Sequence, residues 1–264
     1  MLRLKKTNAL LINHQKKPRI NYNSVHFILP FLLLATFSNC SNKLNPKKQN
    51  TKEALYPAPS TIILYHNNQW ARDNYTKRIQ EFKNDPLLFG ETVFIGNSLT
   101  EQGGDWSIKF GLKGIRNRGI AGDVTDGVIK RLDEIIFYKP KAVFLLIGVN
   151  DIFNLQGGGG IASANYIANN IISIASKIKQ GSPNSHIYIQ TILPSTNELK
   201  MNTQLINSII KNNDSKGNYT VIDLYSGFTN SQGLMPQEFT TDGLHLNNLG
   251  YKVWISLLDT VIRM

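Results

Sequence analysis

A single cysteine, Cys40, stands in 264 residues. One thiol cannot close an internal disulfide, so packing and not cross-linking has to hold the fold. Nor is there a cysteine pair or an H-E-x-x-H segment to suggest a zinc site. The apolar stretch from Phe27 to Phe37 spans eleven residues, short of the roughly 20 that a membrane-crossing helix needs. Acidic residues are missing from positions 1–39, which carry Arg3, Lys5, Lys6, Lys16, Lys17 and Arg19. Residues 40–53 add Lys43, Lys47, Lys48 and Lys52 against Glu53 alone. The formal net charge of +11 would suit a nucleic-acid binder, but these segments hold ten of the 29 bases and one of the 18 acids. What remains is close to neutral, so no nucleic-acid partner is expected.

The basic segment followed by a short apolar run reads as an export signal. Cys40 follows at once, in a position that resembles the acceptor cysteine of a bacterial lipoprotein, cut just before the cysteine and then acylated. Two details depart from that type. Phe37-Ser-Asn39 precedes the cysteine where a Leu and a small final residue are usual, and the basic region is long, with no Met between Met1 and Met201. The expectation is a leader over 1–39, a lipidated Cys40, a flexible tether over 40–53 and one domain over 54–264. The protein would then be exported to the cell envelope and held at a membrane by several acyl chains, since a single chain binds only marginally. The alternative is cleavage after Thr36-Phe-Ser38, releasing a soluble exported protein with a free thiol.

Beyond residue 54, strand-like and helix-like segments alternate. Strands are expected at Thr92–Gly96, Ile115–Asn117, Ala142–Gly148, His186–Leu193 and Tyr219–Leu224. Two of these are largely apolar and bounded by turn residues, as suits strands covered on both faces. Helical periodicity shows in Ile167, Ile171, Ile174 and Ile178, in Met201, Leu205 and Ile209, and in Tyr251, Trp254, Leu257, Leu258 and Val261. A further helical stretch around Val128–Tyr138 ends before Pro140. Alternation of this kind predicts an α/β fold, a three-layer αβα sandwich around a mostly parallel sheet of about five strands. Trp254 is read as core.

Four short blocks carry the chemistry: Phe94-Ile-Gly-Asn-Ser98, Asn117-Arg-Gly-Ile-Ala-Gly122-Asp, Gly148-Val-Asn150-Asp and Asp242-Gly-Leu-His245. In an open α/β sheet, sites form beyond the carboxyl ends of the strands, and each block follows an expected strand. Serine is a poor nucleophile until a base takes its proton. Of the five histidines, His14 and His26 lie in the leader, His66 precedes the first strand and His186 opens one. Only His245 sits in a loop with a carboxylate three residues earlier, so Asp242 would fix its tautomer and stabilise its charged form. The backbone N–H groups of Ser98 and Gly122 and the Asn150 amide would stabilise an oxyanion. Taken singly, Gly122 could equally be a tight turn and Asn150 a turn residue bonded to its own backbone. Asp123 is read as the N-cap of a following helix, and Asp151 as a brace for the Asn150 loop.

These blocks resemble the SGNH (GDSL-type) hydrolase superfamily, and the stretch Thr92–Phe153 is similar to its platelet-activating-factor acetylhydrolase-like branch. There a Phe-Ile-Gly-Asp-Ser block, an Asn-x-Gly-Ile-x-Gly-Asp block and a Gly-x-Asn block recur at similar spacing. The final Asp242-Gly-Leu-His-Leu-Asn-Asn-Leu-Gly-Tyr251 matches the last block, and the resemblance covers roughly residues 70–262. It implies a flavodoxin-like sheet and cofactor-free, metal-free ester hydrolysis, with Ser98 as nucleophile, His245 as base, Asp242 orienting it, and Ser98, Gly122 and Asn150 forming the oxyanion hole. One departure matters. Asn97 stands where the family usually has Asp, keeping the shape and one acceptor oxygen but losing the charge.

Gly157-Gly-Gly-Gly160-Ile-Ala162 imitates a dinucleotide fingerprint, but no Asp or Glu occurs between Asp151 and Glu198 to hold a ribose. The run reads instead as a mobile loop beside the site. The substrate walls are expected from Gln156–Ile161 and Pro194–Lys200. Thr100 occupies the place of the second Gly in G-x-S-x-G, which disfavours an α/β-hydrolase. The sequence therefore predicts an exported serine esterase acting on short acyl esters, with an O-acetylated carbohydrate as first expectation. A lipid acyl ester, or a non-catalytic glycan-binding protein on the same fold, is the alternative.

Overall fold

The computed structural model describes residues 52–63, 68–195, 197–214 and 218–264. The leader, Cys40, nearly all of the tether and His66 lie outside them. Five strands form one sheet: β1 (Thr92–Gly96), β2 (Ile115–Gly119), β3 (Ala142–Leu146), β4 (His186–Gln190) and β5 (Thr220–Ile222). Their order is β2-β1-β3-β4-β5 and every pairing is parallel. The chain steps outward from β1 to β2, then returns across β1 to β3. The order therefore reverses between β1 and β3, where open α/β sheets form their crevice.

Side chains alternate across the sheet with the period of two that strands impose. Val93, Ile95, Val143, Leu145, Ile187 and Ile189 face one layer. It contains α4 (Thr125–Ile129), α5 (Asp133–Tyr138), α7 (Ala164–Gly181) and α8 (Lys200–Asn212). Phe94, Phe144 and Leu146 face the other, with α3 (Trp106–Phe110), α9 (Leu224–Gly227) and α10 (Asn248–Ile262). On that second face the rings stack in register. Phe94 lies 4.8 Å from Phe144, which lies 4.8 Å from Tyr188, while Trp106 stacks on Phe94 at 4.4 Å. Trp254 is fully buried against Trp106, and its indole N–H donates to Gln190 Oε1 at 2.7 Å. It is core, as expected. The three-layer αβα sandwich with a five-stranded sheet is the fold anticipated from the sequence.

Two helical expectations need correction. The stretch around Val128–Tyr138 is not one helix but α4 and α5, broken so that Arg131, only 5% exposed, turns its guanidinium under the sheet edge. In α8 the periodic Met201 and Leu205 face solvent, and the buried positions are Thr203, Ile206, Asn207 and Ile210. The face is rotated because the Asn207 amide is needed inside. Its Oδ1 accepts from the Ile192 N–H and its Nδ2 donates to the Ile192 carbonyl, both at 2.8 Å. A buried polar group that satisfies a backbone pair in this way can displace an apolar residue from the core face.

Two more helices flank the sheet's carboxyl edge: α2 (Ser98–Glu101) directly after β1, and α6 (Val149–Gln156) shortly after β3. Ahead of the sheet, α1 (Gln69–Asn84) is capped by Asn68, whose side chain accepts from the Ala71 N–H. Among the described residues no helix is long and apolar enough to cross a membrane.

Candidate active site

Ser98 is the first residue of α2, at the carboxyl end of β1, which lies between β2 and β3. Asn97 caps that helix, its Oδ1 accepting from the Leu99 N–H at 3.1 Å. The loop thus keeps its cap without the family's carboxylate, although the buried Asn97 Nδ2 has no hydrogen-bond partner among the described residues.

The Asp242–His245 segment is held in a small loop closed by an antiparallel bridge between Thr240 and Leu246. Thr240 is its hub. Its hydroxyl donates to the His245 carbonyl at 2.8 Å and accepts from the Gly243 N–H at 2.9 Å. Gly243 takes φ +87°, a left-handed conformation that side chains resist. Asn247 then caps α10 through the N–H groups of Leu249 and Gly250. The Tyr251 hydroxyl reaches from α10 to the Leu99 carbonyl at 2.7 Å, tying the histidine-bearing element to the serine-bearing helix.

This scaffold brings Ser98 Oγ within 3.0 Å of His245 Nε2. The other ring nitrogen, Nδ1, lies 2.7 Å from Asp242 Oδ2. Asp242 Oδ1 accepts the backbone N–H groups of His245 at 2.7 Å and Leu244 at 3.0 Å. Slight burial opposes charge on Asp242, but the His245 ring and these N–H groups outweigh it and hold the carboxyl below its ordinary 3.8.

Gly122 lies in the turn after β2 with φ +82°. Asn150 sits in the first turn of α6, and its Nδ2 donates to the Asp123 carbonyl at 2.8 Å. An amide nitrogen has two hydrogens, so one is left to donate elsewhere. Ser98, Gly122, Asn150 and His245 line one cleft of about 420 Å³.

Asp123 does not cap a helix, since the N-cap position of α4 is Val124. It is fully buried and paired with Arg131 Nε at 2.8 Å. Burial outweighs that pairing and pushes its carboxyl up to about 6. Asp151 does brace, and it acts across space: it accepts from the Thr125 N–H and hydroxyl at the start of α4. Burial, only partly offset by these bonds, raises its carboxyl to about 7.

The cleft walls also differ from expectation. Among the described residues, none of Gln156–Ile161 or Pro194–Lys200 lines the cleft. Those segments engage each other, with Gln156 Nε2 donating to the Glu198 carbonyl. The walls are instead Trp70 and Asn68 at the start of α1, Phe153 on α6, Gln102 and Leu244. Helix α1 reaches the site because Asn74 bonds Glu101 and Arg78 donates to the Gly119 carbonyl. No sequence motif marks Trp70. Its signal would have been a large aromatic in a helix whose apolar residues otherwise face inward, for it is 64% exposed. Among the described residues no group of three or more His, Cys, Asp or Glu could hold a metal ion.

The family model for GDSL-like lipases and acylhydrolases matches residues 94–253. The chain belongs to that family. It is accordingly a hydrolase of carboxylic esters. This acylhydrolase is 29% identical over 184 residues to platelet-activating factor acetylhydrolase IB subunit alpha2 of Rattus norvegicus, an overlap covering 66% of this chain and 77% of that one. Its fold is similar to that of a GDSL-like lipase from Bacteroides thetaiotaomicron, with TM-score 0.60, 23% identity and coverage of 72% and 97%. It is also similar to an acetylxylan esterase from Geobacillus stearothermophilus, with TM-score 0.55, 19% identity and coverage of 67% and 96%.

Proposed function

We propose that Ser98, His245 and Asp242 form the catalytic triad of this acylhydrolase, with the Ser98 and Gly122 N–H groups and the Asn150 amide as its oxyanion hole. The observation that carries this reading is the chain of contacts from Ser98 Oγ through the His245 ring to Asp242, 3.0 Å and then 2.7 Å, at the edge of the cleft that Gly122 and Asn150 share. Ser98 Oγ bonds to the ester carbonyl carbon while its proton passes to His245 Nε2. The carbonyl oxygen takes the negative charge and rests on the three donors. Collapse breaks the C–O bond to the alcohol, which leaves with the proton from His245. A water molecule then repeats the sequence on the acyl-enzyme and releases the acid. Ser98→Ala should abolish turnover of p-nitrophenyl acetate in a protein with unchanged melting temperature; retained turnover overturns the assignment.

The substrate we favour is a short acyl ester, an O-acetyl group on carbohydrate. The exposed Trp70 at the cleft, on which a sugar ring could stack, supports it. The apolar company of Phe153 and Leu244 favours a second reading, a lipid acyl ester. Turnover of acetylated xylo-oligosaccharides against lysophospholipids and acyl esters of graded length separates the two. We further propose export with acylation at Cys40. Mass analysis of membrane-extracted protein should show a diacylglyceryl adduct that Cys40→Ala lacks, and an unmodified thiol in the extracted protein would contradict it.

A further inference from the structure

Arg131 takes no part in the cleft. It sits between α4 and α5, its side chain 4% exposed, and its guanidinium reaches three separate segments. Nη2 donates to the carbonyl of Gly96, two residues ahead of Ser98, at 3.0 Å. Nη1 donates to the carbonyl of Arg118, in the strand that leads into the Gly122 turn, at 2.8 Å. Nε donates to Asp123 Oδ2, on the residue after Gly122, at 2.8 Å. The backbone carbonyl of that same Asp123 receives the Asn150 amide at 2.8 Å. One rigid planar group is therefore bonded to the segment of each oxyanion donor: directly for Ser98 and Gly122, through one residue for Asn150. Only arginine offers donors in a fixed fork of this kind.

The Gly122 turn is also held from the Ser98 side. The Ala121 N–H donates to Glu101 Oε2 on α2, and the Asn117 Nδ2 bonds the Thr100 and Glu101 carbonyls. These bonds join the turn to α2, but none of them reaches Asp123, and through it Asn150. Arg131 does.

We propose that Arg131 is a positioning residue that fixes the mutual spacing of the three oxyanion donors. The proposal rests on the assignment of Ser98, Gly122 and Asn150 made above. Misplacing a reacting geometry by about 1 Å can cost about 100-fold in rate, and loss of one oxyanion donor costs about 100–1,000-fold. A loosened clamp should therefore lower kcat while leaving the cleft walls, and so KM, nearly unchanged.

Arg131→Lys separates the two roles of the residue. It keeps a positive charge for Asp123 but has no fork to span the Gly96 and Arg118 carbonyls. The full-length protein should melt cooperatively, with kcat on p-nitrophenyl acetate reduced about 10–100-fold and KM changed less than about threefold. Combined with Asn150→Ala, its loss should be smaller than the product of the single losses, because donors that act as a unit are not additive. If Arg131→Lys does not fold, the neutral pair Arg131→Gln with Asp123→Asn carries the same kinetic comparison. A folded variant with kcat within about twofold of the parent overturns the proposal, as does a fully multiplicative loss with Asn150→Ala. The underlying assignment fails separately: turnover retained in Ser98→Ala sinks the oxyanion reading itself, whereas an inactive Ser98→Ala beside a fully active Arg131→Lys sinks only the positioning role.

Discussion

His245 and Asp242 are joined twice: the ring Nδ1 lies 2.7 Å from one carboxylate oxygen, and the His245 backbone N–H donates to the other at 2.7 Å. The carboxylate thus orients both the ring and the chain that carries it. Asp242→Asn leaves the loop its acceptor but offers Nδ1 an amide in place of a charge. We expect kcat to fall about 100–10,000-fold, the upper figure being that of a buried triad aspartate, with the lower part of the range favoured by an Asp242 side chain that is 52% exposed. Steady-state kinetics on p-nitrophenyl acetate measures it, and a loss below about threefold would remove Asp242 from the triad. Because its carboxyl lies below 3.8, Asp242 remains ionised above that pH and contributes no limb of its own to the activity profile near neutrality. The stability it contributes is present above pH 3.8 and is lost only as pH falls through its lowered value.

Gly127 lets α4 pass directly over the Asp123 carboxylate. A Cβ there would strike Asp123 Oδ1 and come within 2.6 Å of the Ile63 carbonyl. Gly to Ala inside a helix ordinarily gains about 1 kcal/mol. Here one obstacle is backbone and the other is held by Arg131, so overpacking should win at a net cost of about 1–3 kcal/mol. Urea unfolding of Gly127→Ala measures this, and a stabilised variant would mean that α4 is free to move away.

Asp151 imposes a pH dependence on folding. Burial raises its carboxyl to about 7 in the folded protein, against 3.8 for a free side chain. The sign follows from proton linkage. The folded state holds the proton more tightly, so the stability linked to this group is full below 3.8 and drains away as pH rises through about 7. Asp151→Asn has no proton to lose. The melting-temperature advantage of the parent over Asp151→Asn should therefore be larger at about pH 4 than at about pH 8. A gap that widens with pH would show that Asp151 is stabilised as the carboxylate.

The sequence exposed what depends on short spacing. Asp242 and His245 are three residues apart, and Ser98 and Asn150 follow strands, β1 and β3, whose apolar runs are plain. The alternation of Val93, Phe94 and Ile95 between two layers follows from strand geometry alone. What stayed hidden depends on contacts across the fold. Met201 and Leu205 have the period of a buried stripe, but the inward face of α8 was decided by an Asn207–Ile192 bond over 15 residues. Asp123 precedes a helix as a cap would, and only the burial of Arg131 eight positions on turned it into an ion-pair partner. Trp70 reached the cleft because α1 is fastened to α2 and β2 by Asn74 and Arg78, bonds that span 27 and 41 residues. Asn97 was legible as a departure from the family, and its retained Oδ1 cap follows from the geometry an amide shares with a carboxylate.

Labelling of the purified protein with a serine-directed organophosphonate, read by peptide mass, tests the nucleophile most directly. One adduct per chain, carried by Ser98 and absent from Ser98→Ala and strongly slowed in His245→Ala, is the predicted result. An adduct on any other residue would contradict the assignment of Ser98, and an unlabelled protein would contradict the account and leave a glycan-binding protein on a hydrolase fold as the better description.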